Sequence, residues 1–192
     1  MLPAMTSESP GPTGAAFPLE AIELRDGSVE DAEAIEAVHY ASREAVYLGR
    51  VADWPPAGPD RAGRVARWRE WLASPDIGCT VAVAGDTIVG FCTVRRSQDE
   101  DAGRDVAEMP TLYVDPGSWR RGVGRALCAA GLEQAEELGC HELTLWVLEM
   151  NVDARRFYEA FGFSEDGATK VDEGTRERLL ARRYRIALPY AR

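Results

Sequence analysis

The stretch Trp119-Arg-Arg-Gly-Val-Gly-Arg-Ala-Leu comes just after the apolar run Thr111-Leu-Tyr-Val-Asp-Pro, and its residue types suit the capture of an anion. It reads as a strand that turns through a glycine-rich loop into a helix. The first N–H groups of a helix have no intrahelical partner, and the macrodipole adds partial positive charge there. Gly122 and Gly124 would let a phosphate approach those amides closely, and Arg120, Arg121 and Arg125 add formal charge around it. A Walker A loop is excluded, because Gly124 is followed by Arg125 and Ala126 rather than Lys and Ser or Thr. A dinucleotide fingerprint is weak, because its third small residue falls on Leu127.

Several elements must position this loop. Ala21 to Arg25 alternates as a short strand, and Ser28, Glu30 and Asp31 open a helix with apolar positions at Ala34, Ile35, Val38 and Ala41. After the break at Trp54-Pro-Pro-Ala-Gly-Pro, Val65, Trp68, Trp71 and Leu72 recur at helical spacing, which predicts a second helix packed over the first. Thr80–Ala84 and Ile88–Val94 flank Gly85-Asp-Thr as a hairpin, and Ser97 to Arg104 is a polar loop. Strand four is expected at Met109–Val114, and the helix after the glycine loop carries Val123, Leu127, Ala130 and Leu138 on its apolar face and stops at Gly139. Strand five is Glu142–Leu148. Asn151 caps a short helix with Ala154, Phe157, Tyr158 and Phe161 on one face and Gly162 at its end, and Leu179–Leu188 is the last strand. Two strand-helix units after a hairpin imply an α/β arrangement, a mixed sheet with helices on both faces.

Composition sets limits on this reading. A chain of 192 residues suits one domain, here placed at residues 19–192 behind a Pro-, Gly- and Ser-rich flexible tail over 1–18, in which Met5 is an alternative start. The tail lacks the charge and apolar block of a signal peptide, and no run approaches the roughly 20 apolar residues of a membrane span, so no membrane partner is expected. Cys79, Cys92, Cys128 and Cys140 lack metal-ligand spacing and read as reduced core thiols of a cytoplasmic protein with no metal. The net charge of −10 argues against nucleic acid, and it would suit either a cationic substrate or simple solubility.

The glycine loop resembles the Arg/Gln-x-x-Gly-x-Gly/Ala pyrophosphate loop of the GNAT superfamily of N-acetyltransferases, with Trp119 where Arg or Gln is usual. Asn151-Val-Asp-Ala-Arg-Arg-Phe-Tyr-Glu-Ala-Phe-Gly-Phe resembles a second segment of the same superfamily, Asn-x-x-Ala-x-x-Phe-Tyr-x-x-x-Gly-Phe. The two occur in the right order, with one helix and one strand between them, and the resemblance extends from about Ala21 to Leu188. It implies a mostly antiparallel sheet of six to seven strands in which two parallel central strands splay apart. It also implies acetyl-CoA as the acyl donor, with the main chain of Leu112, Tyr113 and Val114 bonding the pantetheine arm. Residues 120–125, Arg120, Arg121, Gly122, Val123, Gly124 and Arg125, would hold the pyrophosphate, and Asn151 and Ala154 would lie against the pantetheine. A β-bulge in strand four would free an N–H to stabilise the thioester oxyanion.

By the same resemblance Tyr158 donates a proton to the departing thiolate, a plausible match between a phenol of pKa about 10 and a thiol of about 8.5. An alkylammonium of pKa about 10 must lose a proton before it attacks, and Glu108, just before strand four, is the nominated base. Other candidates are His39 in the first helix, His141 in a surface turn, and Glu149 as a group for a cationic substrate. The stretch from Ser42 to Trp71, with Tyr47, Trp54, Trp68 and Trp71, would line an acceptor pocket or belong to the core. With no cysteine placed as a nucleophile, direct attack on a bound acetyl-CoA by a small-molecule primary amine is the leading reading. Acetylation of a protein lysine or N-terminus and a silent CoA-binding sensor are the alternatives, and a homodimer fits the family.

Overall fold

The computed structural model describes residues 22–51, 60–172 and 178–189. The strands β1 (Ile22–Asp26), β2 (Gly78–Ala84), β3 (Thr87–Arg96), β4 (Val106–Val114), β5 (Glu142–Leu148), β6 (Ser164–Asp172) and β7 (Leu179–Ala187) form one sheet. Its order is β1-β2-β3-β4-β5-β7-β6. Only β4 and β5 run parallel; every other neighbouring pair is antiparallel. The helices are α1 (Ala32–Tyr47), α2 (Arg61–Leu72), α3 (Val123–Glu137) and α4 (Val152–Phe161).

The alternation of β2 and β3 assigns the helices to faces. Val81 and Phe91 turn to one side, where they pack with Ile35 and Val38 of α1 and Val65 and Trp68 of α2. Ala82, Cys92 and Val94 turn to the other, against Val123, Leu127 and Leu132 of α3. Gly90 sits at a tight point of this second face: a Cβ there would lie 2.9 Å from Leu127 Cδ1 and 3.1 Å from the Tyr113 carbonyl oxygen. The missing side chain lets α3 press onto the sheet where β3 meets the end of β4.

The first helix begins one turn later than its capping signal, because Val29–Asp31 forms a 3-10 turn. The Ser28 N–H donates to Asp31 Oδ2 at 2.9 Å, and Arg25 grips the same carboxylate at 2.8 Å through each of two nitrogens. The second helix packs over the first, as its spacing predicts. A buried carboxylate joins them: Glu36 accepts from Arg64 and, at 3.0 Å, from Trp68 Nε1, and lies 3.5 Å from His39 Nδ1. Burial alone would raise Glu36, but the bonds from His39 and Arg64 outweigh it and hold the carboxyl below its usual range.

Three expectations need correction. Strand β6 has the exposed, polar sequence Ser-Glu-Asp-Gly-Ala-Thr-Lys-Val-Asp, so it carries no apolar alternation to announce it, and pairing with β7 creates it. Strand β4 starts at Val106 rather than Met109, which puts Glu108 inside the strand. The buried face of α3 runs through Leu132 and Ala135, while Leu138 is exposed beyond the helix end. The tail, Ala21 and Trp54 lie outside the described residues.

Two outcomes are expected. Adding a methyl at Gly90 forces α3 from the sheet, so Gly90→Ala lowers the unfolding free energy in urea by about 1–3 kcal/mol. Burial first, then the nearby Arg43 charge, lowers the His39 pKa, so the unfolded chain takes up this proton before the folded one. The stability this gives is present above the unfolded value of about 6.5 and is lost as pH falls through the folded value. His39→Gln should therefore show a smaller drop in urea midpoint than the parent between about pH 7 and 5.

Candidate active site

The parallel ladder between β4 and β5 has three pairs, Val106 with Glu142, Ala107 with Leu143 and Glu108 with Thr144. Thr144 Oγ1 closes its apex by donating to the Ala107 carbonyl at 3.1 Å. Beyond that point the two strands separate, so the splay implied by the family resemblance is present. Between Thr93–Thr111 and Arg95–Glu108 the ladder with β3 spans one residue more on β4 than on β3, so β4 bulges at Met109 and Pro110. The bulge reverses the alternation of β4. Ala107 and Met109 join the α3 core, Glu108 meets Arg95, and after the bulge Val114 faces α3 while Tyr113 faces α1.

A cavity of about 1090 Å³ opens where the strands part. It passes through the sheet, because β5 lines it with residues of both faces: Leu145 and Val147 belong to the core under α3 and α4, whereas Trp146 and Leu148 pack with Tyr47 of α1. On the α3 and α4 face it is lined by Gly122, Gly124, Arg125, Asn151, Ala154 and Tyr158, with Trp119 and Arg120 from the loop. On the other face lie Arg43, Tyr47, Arg50, Glu108, Lys170 and Asp172. Leu112, Tyr113 and Val114 form its wall along β4.

The glycine loop lies at one end of the cavity. Arg120 and Gly122 take left-handed φ values of 59° and 82°, folding the chain back so that α3 starts with its amides toward the cavity. Val123 is itself buried in the core, so only its amide can serve there, and Arg121 is not part of the lining. Gly124 faces Phe157, where a Cβ would meet the ring at 3.6 Å, an ordinary contact, so this position suits a small residue but does not demand glycine. Trp119, which stands in the usual Arg or Gln place, donates its indole N–H to the Val114 carbonyl at 2.7 Å and ties the loop to the end of β4. Arg125 lies 5.2 Å over the Phe161 ring.

These features fit a CoA molecule. The facing edges of β4 and β5 past the ladder offer main-chain donors and acceptors to an extended, amide-bearing arm in the manner of an added strand. Asn151 cannot give the same oxygen freely, since Oδ1 already accepts from the Ala154 N–H at 3.2 Å as a helix cap.

Tyr158 and Glu108 reach the cavity from opposite faces of the sheet. Tyr158 is buried on α4, and burial holds its hydroxyl well above the ordinary phenol value, with Cys128 and Tyr113 adding in the same direction. The group therefore stays protonated, and among the described residues no partner hydrogen-bonds to it. Glu108 is 5% exposed, and Arg95 donates to its Oε2 at 3.2 Å from Nη2 and 3.4 Å from Nε. The carboxylate lines the cavity on the α1 face, with that guanidinium as its partner.

The other nominated groups stand elsewhere. His39 is packed edge-on between Trp68, at 5.3 Å, and Tyr113, at 4.7 Å, within the α1–α2 core. Trp68 and Trp71 belong to that core too. His141 is exposed at the start of β5, its N–H on the Asp105 carbonyl. Glu149 pairs with Arg182 outside the cavity lining. The four thiols are free and buried; burial pushes Cys79 and Cys128 up to about 12 and Cys92 higher, and none lines the cavity. Sequence reading missed Arg43, Arg50, Trp146, Lys170 and Asp172. Lys170 lay in the unannounced strand, though one signal was visible: it is the only lysine among 22 basic residues.

The fold and the cleft define an acyl-CoA-binding acetyltransferase architecture. The acetyltransferase (GNAT) family matches residues 43–163, and the chain belongs to that family. It is 38% identical over 88 residues to a mycothiol acetyltransferase of Thermobispora bispora, an alignment covering 45% of this chain and 30% of that protein. It is 35% identical over 109 residues to an uncharacterized N-acetyltransferase of Methanocaldococcus jannaschii, covering 55% and 48%. The chain thus spans less than half the length of these relatives. Among solved structures, a ribosomal-protein-alanine N-acetyltransferase from Brucella melitensis superposes with a TM-score of 0.69 at 23% identity, over 86% of this chain and 99% of that one. The PaiA N-acetyltransferase of Thermoplasma acidophilum, in complex with coenzyme A, superposes at 0.62 and 23% identity, over 84% and 97%.

Trp119 supplies a direct check on the loop. Trp119→Phe keeps a large ring and removes the donor to Val114. It should raise the dissociation constant for CoA about fivefold, the effect of about 1 kcal/mol from one hydrogen bond, in a calorimetric titration. An unchanged affinity would mean that the loop holds its shape without this bond.

Proposed function

We propose that this protein transfers the acetyl group of acetyl-CoA to the primary amine of a small molecule, by direct attack in a ternary complex. The observation that carries the reading is the cavity that crosses the sheet at the β4–β5 fork, with Tyr158 on one face and Glu108 on the other. Acetyl-CoA supplies an activated acyl group as its thioester. The amides at the start of α3, with Arg120 and Arg125, hold the pyrophosphate, and the open edges of β4 and β5 receive the arm. The bulge at Met109 and Pro110 reshapes the strand beside the reacting carbon and leaves main-chain N–H groups of β4 out of the β3 ladder to stabilise negative charge on the carbonyl oxygen. Pro110 has no N–H, so that donor must come from a neighbour in the strand.

Proton traffic then follows the two faces. Glu108, on the face open to the acceptor, takes the proton that the ammonium must lose, either directly or through one water. Tyr158, held protonated on the CoA face, donates its proton to the departing sulfur. Separation of base and acid by the sheet keeps the two transfers from short-circuiting each other. The buried thiols, raised far above neutral pH, support direct transfer over a covalent acyl-enzyme.

Thiol release from acetyl-CoA across a panel of primary amines tests the reading. Tyr158→Phe and Glu108→Gln should each lower kcat about a hundredfold or more while the dissociation constant for CoA stays within about twofold. Tight CoA binding with no thiol release for any amine would point instead to a silent CoA-binding module.

A further inference from the structure

The chain carries a net charge of −10, yet among the described residues five basic side chains and three carboxylates line the cavity. Two of the basic groups, Arg120 and Arg125, belong to the pyrophosphate end. The other three, Arg43 from the C-terminal half of α1, Arg50 just beyond that helix and Lys170 from β6, line the opposite mouth with Glu108 and Asp172. Arg43 is the most embedded. Its Nε is buried, its guanidinium lies 5.2 Å over the Tyr47 ring, and its charge acts on Tyr47, Tyr113 and His39. Asp172 acts on the same two tyrosines with the opposite sign, so it offsets one cation at this mouth. Glu108 is already matched by Arg95, which is not part of the lining. Among the described residues, positive charge is therefore in excess at this mouth.

Lys170 is set apart by more than its place. It is the single lysine in a chain that uses arginine 21 times. Its ammonium lies 4.1 Å over the Trp146 ring, and Arg183 lies over that ring as well, at 5.6 Å. Trp146 is fixed in turn: its indole N–H donates to Asp99 at 3.1 Å, and Arg183 bonds Asp99, Asp101 and Asp166. A rigid indole thus presents a compact point charge toward the cavity, with no carboxylate paired to it among the described residues.

We infer that the acceptor is an amine that also carries an anionic group, a carboxylate or a phosphoryl oxygen, held by Lys170 and Arg43 while its amine faces Glu108. The inference rests on the acetyl-transfer reading and goes further in naming the charge of the substrate. Of the two readings that the net charge left open, a cationic substrate and simple solubility, it sets the first aside. The net charge is a sum over the whole chain, and the described residues at this mouth carry the opposite sign.

The test compares amines that differ only in the anionic group: glycine, β-alanine and 4-aminobutyrate against methylamine, ethylamine and propylamine, with O-phosphoethanolamine added and spermidine as the polycation. Thiol release should give at least one amine that carries the anionic group a kcat/KM ten times or more above its plain alkylamine partner and above spermidine. Lys170→Glu should raise the KM for that amine about tenfold while the KM for acetyl-CoA is held, a split that a merely structural loss would not produce. Preference for the plain alkylamines or for spermidine overturns the inference and leaves acetyl transfer standing. Anionic preference that Lys170→Glu and Arg43→Gln both leave intact overturns the assignment of these residues. No thiol release with any amine overturns acetyl transfer and the inference together.

Discussion

The structure depends on one interruption: two parallel strands pair for three residues and then part. Up to Glu108 and Thr144 the ladder is an ordinary parallel one, closed by the Thr144 hydroxyl on the Ala107 carbonyl. From there β4 is committed to β3 and β5 to β7, and their facing edges are left to something else. Backbone donors and acceptors deprived of both partner and water cost free energy, so the fork is stable only if solvent or a ligand satisfies them. The binding slot is the place where the sheet does not close.

The rest of the fold keeps this gap open and shaped. The bulge at Met109 and Pro110 turns β4 so that Glu108 and Tyr113 look toward α1 while Val114 looks toward α3. Gly90 lets α3 lie close enough for its first turn to meet the end of β4, and Trp119 ties the connecting loop to Val114. Leu127 and Leu132, fully buried beneath that helix, each contribute on the order of 1.5–3 kcal/mol to keeping it there. On the far side, the Arg183 cluster with Asp99, Asp101 and Asp166 clamps the loop after β3 to β7 and β6 and immobilises Trp146. Precision at the cavity is thus drawn from contacts on both faces.

Much of this was legible in the chain. The glycine loop, the Asn151-to-Phe163 segment, the hairpin around Gly85 and the caps at Ser28 and Asn151 are local signals, because turns, caps and amphipathic faces depend on residues a few positions apart. β6 was not legible, since a polar strand exposed on both sides is stabilised by its neighbour rather than by its own pattern. The placement of Glu108 failed for a related reason: Val106 and Ala107 extend the strand only because β3 and β5 are there to pair with them. Trp119 stands where Arg or Gln is usual, and its indole bond runs to a carbonyl five residues back, which its place in the pattern does not announce.

By itself the sequence determined the family, the order of the elements other than β6 and the glycine turn into α3, because each rests on spacing within one segment. Only the tertiary structure decided which residues share the cavity. Arg43, Glu108, Trp146 and Lys170 come from α1, β4, β5 and β6, and nothing in their local context links them. The charge of the described groups at the α1 mouth of the cavity was decided there as well. A net charge is a sum over the whole surface, whereas the field in a cleft is set by the few groups that the fold turns inward.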